Sequence, residues 1–333
     1  MPQPFYYGGQ AVMEGVMMRG RRTLAIACRA PNGQIVVYEE ELKPGPVLRR
    51  VRGLPFVRGA VVLWDTLILG TRALLFSANV SLLEEPEEGE EADEPAVLGG
   101  PLLWLTMAAS LAFAIGLFFM TPLLVSWAAE RVVDSHVGVN VIEGLVRLAL
   151  LIGYLGLIAK MPDIRRVFAY HGAEHMTINA YEKRLPVDVP NVRKQSLEHV
   201  RCGTGFLLIV VLISIIAFTM LGRPNLFWLI ASRILLVPVI AAIAYEVIRL
   251  GAAHAHNPIM RVILAPGLLM QRLTTRQPDD DMLEVSIVAF ERVLIADEAM
   301  AAADATQGVI PVDQLGQPLV PQPSLEPGVV VAD

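Results

Sequence analysis

The sequence predicts a mainly α, polytopic membrane protein with about four transmembrane helices and a small β-containing N-terminal cytoplasmic unit. Three observations carry this. Of the 333 residues, 54% are apolar and 18% charged, and mean hydropathy is positive, which is more apolar and less charged than an average soluble domain. Four long apolar runs follow one another between residues 102 and 248. Lysine and arginine concentrate in a single connection between those runs, the asymmetry that orients membrane helices.

Residues 1–58 are expected to form the N-terminal unit. Gly8 to Gly20 is rich in glycine and methionine; it reads as tight turns and strand ends, or as backbone that approaches another segment or a ligand closely. Two β-prone runs, Thr23 to Ala30 and Gln34 to Leu42, flank Asn32-Gly33, a strong hairpin signal. Arg49, Arg50, Arg52 and Arg58 then lead into residues 59–83. That run is apolar but interrupted by Asp65 and Arg72. Unpaired charges at such depth are costly in a spanning helix, so an interfacial amphipathic helix is expected, with a span as the lesser reading. Residues 84–98 form an acidic linker whose like charges repel. This run supplies most of the net charge of −6, which argues against nucleic acid as a partner.

The membrane domain is expected over 99–303. Its spans are Leu102 to Trp127, Val141 to Ile158, Leu207 to Leu221 and Leu226 to Ile248, each extendable to the roughly 20 residues that cross a hydrocarbon core of about 30 Å. Glu143 and Arg147 in the second, and Arg233 and Glu246 in the fourth, should face the bundle interior or lie near its ends. The connection 160–203 holds Lys160, Arg165, Arg166, Lys183, Arg184, Arg193, Lys194 and Arg201, against Arg131 and Arg223 in the other two. It is therefore cytoplasmic by the positive-inside rule, and an even number of spans puts both termini there in the cell (inner) membrane. Segment 257–278 is too short to cross and contains Pro258, Pro266 and Gly267, so it reads as re-entrant or surface-lying. Asp279, Asp280 and Asp281 are expected to cap a helix from Met282 to Ala302. Residues 304–333 read as a disordered tail. No signal-peptide pattern opens the chain, and two lone cysteines fit a reducing compartment.

The chemistry concentrates in Tyr170-His171-Gly172-Ala173-Glu174-His175, a polar island between the two pairs of spans. On a helix, His171, Glu174 and His175 share one face. H-x-x-E-H is the inverted form of the H-E-x-x-H zinc signature, in which the histidines bind metal and the glutamate handles protons. The competing reading is a polar helix turn at a membrane surface. A third ligand can come from His199 or Cys202, which precede the third span, or from Glu246. For the first two the alternative is a helix start with Cys202 packed and His199 exposed; for Glu246 it is an ion pair with Arg249 or Arg233.

Residues 8–20, 170–175, 201–206 (Arg-Cys-Gly-Thr-Gly-Phe) and 271–278 (Gln-Arg-Leu-Thr-Thr-Arg-Gln-Pro) together resemble the YqhQ family of bacterial membrane proteins. The family is of unknown function, and some members carry the label "predicted metal-dependent enzyme". The resemblance covers Gly8 to about Leu294 and implies an integral membrane protein with a metal site at His171, Glu174 and His175. The expected function is a zinc-dependent membrane hydrolase at the cytoplasmic face of the lipid bilayer, acting on a membrane protein or a lipid. In it His171 and His175 hold Zn2+ with Glu246, His199 or Cys202, and Glu174 is the catalytic base. The alternative is a non-catalytic assembly or transport factor that binds lipid headgroups or a partner protein.

Overall fold

The computed structural model describes residues 7–43, 50–51, 54–82, 100–254, 257–298, 306 and 308–319. The acidic linker and His256 lie outside them.

The N-terminal strands are β1 (Gly8–Val12), β2 (Gly15–Arg19), β3 (Thr23–Arg29) and β4 (Ile35–Glu41). They pair in sequence order, each antiparallel to the next. The hairpin expected at Asn32-Gly33 joins β3 to β4, with Gly33 at φ 82°. Helices follow: α1 (Val57–Ser81), α2 (Gly100–Ile115), α3 (Thr121–Ala129), α4 (His136–Ile158), α5 (Pro162–Glu182), α6 (Val189–Val192), α7 (Gly203–Leu221), α8 (Leu226–Ala253), α9 (Pro258–Thr274) and α10 (Asp280–Ala296). A single π-helical turn, Gly116–Met120, runs α2 into α3. A two-residue strand β5 (Ile310–Pro311) pairs parallel to β4. Part of the stretch expected to be a disordered tail therefore belongs to the sheet: β4 offers a free edge, and Val312 donates its N–H to the Val37 carbonyl at 3.0 Å.

The sheet is buried on both faces. Val16, Met18, Ala25, Ala27 and Val37 pack against Tyr170 and Ile178 of α5 and Val285, Val288, Phe290 and Val293 of α10. On the reverse face, Met17, Leu24, Ile26, Cys28 and Val36 meet Leu69, Ala73, Phe76 and Val80 of α1. Alternate residues of one strand thus enter two different cores. The N-terminal unit is completed by helices far along the chain, so it is one half of a shared α/β/α layer.

Among the described residues, five helices are long and apolar enough to cross a membrane: Val57–Ser81, Leu103–Ala129, His136–Ile158, Gly203–Leu221 and Phe227–Gly251. This is one more than the four expected. The addition is α1, whose interrupting charges are both neutralised by the sheet: Asp65 pairs with Arg19, and Arg72 with Glu40 at 2.9 Å. Large apolar side chains on the other four, among them Trp104, Phe113, Leu145, Ile216 and Ile234, are more than half exposed, the surface that lipid covers in a membrane protein. Their charges turn inward. Glu143 is 2% exposed and binds Arg147 at 3.1 Å and Arg233 at 2.9 Å. Helix α9 lies against α7 where Gly267 meets Gly205, and leaves Ile259, Val262 and Leu269 exposed.

Candidate metal centre

Helix α5 begins at Pro162, a residue whose fixed φ suits the first helical position, with Asp163 in the favourable first turn. Its middle is buried almost all round: Tyr170, Ala173, His175 and Met176 are each at most 1% exposed. Small residues permit this. A methyl group on Gly172 would overlap the Arg276 carbonyl oxygen, so the segment after α9 can lie directly on α5. There the Arg276 N–H donates to the Phe168 carbonyl at 2.9 Å.

That close approach orients the histidines. His171 Nδ1 lies 2.8 Å from the Thr274 carbonyl oxygen, and His175 Nδ1 lies 2.6 Å from that of Leu197. A carbonyl only accepts, so each Nδ1 carries a proton, and in the neutral ring it is Nε2 that keeps the lone pair. This backbone-anchored tautomer is the one metal-bound histidines usually show. The two rings are 4.4 Å apart between centroids.

The third donor is Cys202. It occupies the N-cap of α7, where the helix dipole favours negative charge, and its Sγ lies 3.2 Å from His171 Nε2 and 2.9 Å from Thr204 Oγ1. The ligand atoms of His171, His175 and Cys202 all lie within 4.8 Å of one another. Two imidazoles and a thiol are good zinc ligands, and three protein donors leave one tetrahedral position open.

Glu174 is 6% exposed and turns toward β1. Gly9 makes room for it: a methyl on Gly9 would sit 3.0 Å from Glu174 Cγ. Its charge opposes the main influence on His199, whose pKa is lowered chiefly by burial and less by His171. His199 is buried, unlike the exposed residue of the alternative reading, and stands one layer out from the donors, its ring 5.6 Å from that of His175. Gln271 fixes it: Oε1 accepts from the His199 N–H at 2.9 Å, and Nε2 donates to the His199 carbonyl at 2.8 Å. Arg201 Nη2 donates to His199 Nε2 at 3.2 Å, occupying the lone pair a metal would need.

Glu246 is not part of the cluster. Its carboxylate takes Arg58 Nε at 2.7 Å and the Phe56 N–H at 3.3 Å. The ion-pair reading thus describes it, with Arg58 as partner in place of Arg249 or Arg233; Arg233 is held by Glu143. Glu246 and Cys202 nevertheless line one cavity of about 730 Å³ between α1, α7 and α8.

Several contributors carried no separate sequence signal: the carbonyls of Leu197 and Thr274, the Gln271 amide, and Gly172. The four stretches that resemble the YqhQ family meet here. Gly9 seats Glu174, Glu14 grips Arg166 of α5, Cys202 faces His171 with Thr204 at its thiol, Thr274 anchors His171 and Gln271 clamps His199.

A family model described as "Protein of unknown function (DUF1385)" matches residues 54–296. The chain is 34% identical over 295 residues to "Uncharacterized protein YqhQ" of Bacillus subtilis (strain 168), covering 87% of this chain and 93% of that protein. No solved structure matches.

Proposed function

The chain belongs to the YqhQ family, DUF1385, and on that premise we propose that it is a zinc-dependent hydrolase of the cell membrane, working at the cytoplasmic face on a lipid or a membrane protein. The observation that carries the reading is the convergence of two carbonyl-anchored histidines with Cys202. His171, His175 and Cys202 would hold the ion. When bound, zinc lowers the pKa of a coordinated water to about 7. Glu174, one turn from His171, would be the group that takes up a proton and returns it to the leaving group.

Four of the five apolar helices cross the bilayer in this reading. The sheet, α5 and α10 share one core, so an even number of crossings separates them along the chain. Helix α1 buries its second half on the sheet and lies along the membrane surface. The α2–α3 helix, α4, α7 and α8 cross, and both termini are cytoplasmic with the arginine-rich connection. A transport factor would need a cavity through the bundle lined by Arg233 and Glu246; Arg233 is paired with Glu143, and Glu246 with Arg58.

The test is turnover. Detergent-purified protein with one equivalent of zinc, incubated with a bacterial membrane extract, releases hydrolysis products detectable by mass spectrometry, and Glu174→Gln with full zinc content releases none. Equal products from Glu174→Gln, or none from either, would remove the hydrolase assignment.

A further inference from the structure

The cavity beside Cys202 has a chemistry of its own. Its volume, about 730 Å³, falls in the range of about 300–1,000 Å³ usual for small-molecule sites. Val62, Leu63, Phe206, Ile248 and Leu250 supply apolar wall; Arg58, Arg201 and Arg249 supply cations against the single carboxylate of Glu246. That carboxylate is taken by Arg58, and Arg201 is paired with Glu182. Arg249 is exposed at the rim beside Leu250 and forms no ion pair with the described residues; its charge attracts the Glu246 carboxylate less strongly than Arg58 does. An apolar slot with a guanidinium outside any ion pair at its mouth is complementary to an amphiphile with an anionic head. Guanidinium is also the side chain best matched to phosphate.

We propose that this cavity binds an anionic phospholipid, its acyl chains along Val62, Leu63 and Phe206 and its phosphate at Arg249. The cavity lies at the end of α8 that Arg58 ties to α1, near the membrane surface in the topology above, where headgroups lie. Cys202 forms part of both the cavity wall and the donor cluster, so a lipid in the cavity lies against one of the donors. The catalytic consequence rests on the hydrolase reading; the binding does not.

The experiment is native mass spectrometry of the full-length protein in detergent with phosphatidylglycerol or phosphatidylcholine. The proposal expects one phosphatidylglycerol retained, phosphatidylcholine bound about tenfold more weakly, and an Arg249→Ala loss of about tenfold, or ~1.4 kcal/mol. Arg249→Lys should keep most of the affinity. His171→Ala, at a donor that does not line the cavity, should bind phosphatidylglycerol like wild type while losing zinc, which separates this proposal from the metal reading. Equal retention of both lipids, wild-type binding by Arg249→Ala, or full competition by sn-glycerol 3-phosphate without acyl chains would overturn it.

Discussion

His171 stands between two segments that are distant in sequence: its Nδ1 bonds the Thr274 carbonyl at 2.8 Å, and its Nε2 faces Cys202 Sγ at 3.2 Å. The proton on one side of the ring is what leaves a lone pair on the other. Anything that moves the segment after α9 should therefore disturb the donor set without touching a ligand.

Gly172→Ala is the sharpest such change. The new methyl meets the Arg276 carbonyl and Leu197 Cδ2, backbone on one side and the segment that holds His175 on the other. Overpacking of this kind costs about 1–3 kcal/mol. The variant should melt lower and bind zinc more weakly, by isothermal titration, than wild type. Gly153→Ala, with open space around its Cα, should retain wild-type zinc affinity.

Gln271 acts one step further out. Gln271→Ala removes both hydrogen bonds that clamp the His199 backbone, loosening the loop that carries Leu197 and Cys202. Loss of a supporting contact around a metal site typically weakens affinity about 10–100-fold. A competition titration with a zinc-responsive dye should read a fall in that range while far-ultraviolet circular dichroism stays unchanged.

The two cysteines should differ in reactivity. Cys28 is fully buried between sheet and α1, and burial, with a smaller contribution from Glu14, pushes its thiol far above the ordinary cysteine range. Thiolate is the reactive form, so Cys28 should stay unmodified in the native protein. Cys202 borders the cavity and should take up iodoacetamide slowly, with added zinc blocking it. Peptide mapping after alkylation reads both sites; modification at Cys28 in folded protein would contradict the packing.

Within the helical bundle, Glu143 faces both Arg147 and Arg233. Removing one member of a buried charge cluster costs about 3–5 kcal/mol because the remaining charges lose their partner. Glu143→Gln should lower the melting temperature in detergent sharply. Glu41→Gln, which breaks only an exposed pair with Lys43, should shift it little, since such pairs contribute about 0–1 kcal/mol.

Much of this arrangement was legible in the sequence, and its limits are physical. Helical spacing alone put His171 and His175 on one face, and thiolate chemistry made Cys202 a candidate. The choice of Cys202 over His199, three residues away, depends on a clamp by Gln271, 72 residues later, and on Arg201 taking the His199 lone pair. Glu246 is decided by Arg58, 188 residues earlier. The count of long apolar helices turned on α1, where Asp65 and Arg72 look like breaks until Arg19 and Glu40 are placed beside them. The Asn32-Gly33 hairpin was readable because turn chemistry is local. The pairing of Ile310–Pro311 with β4 was not, because a two-residue strand exists only through the edge it joins.

The most direct measurement is the zinc content of detergent-purified protein by inductively coupled plasma mass spectrometry, for wild type and for His171→Ala, Cys202→Ala, Glu174→Gln and Glu246→Gln. One zinc per chain in wild type, Glu174→Gln and Glu246→Gln, with loss in His171→Ala and Cys202→Ala, is the predicted result. A wild-type protein that stays free of metal after zinc is supplied, or one that keeps its zinc without Cys202, would contradict the site.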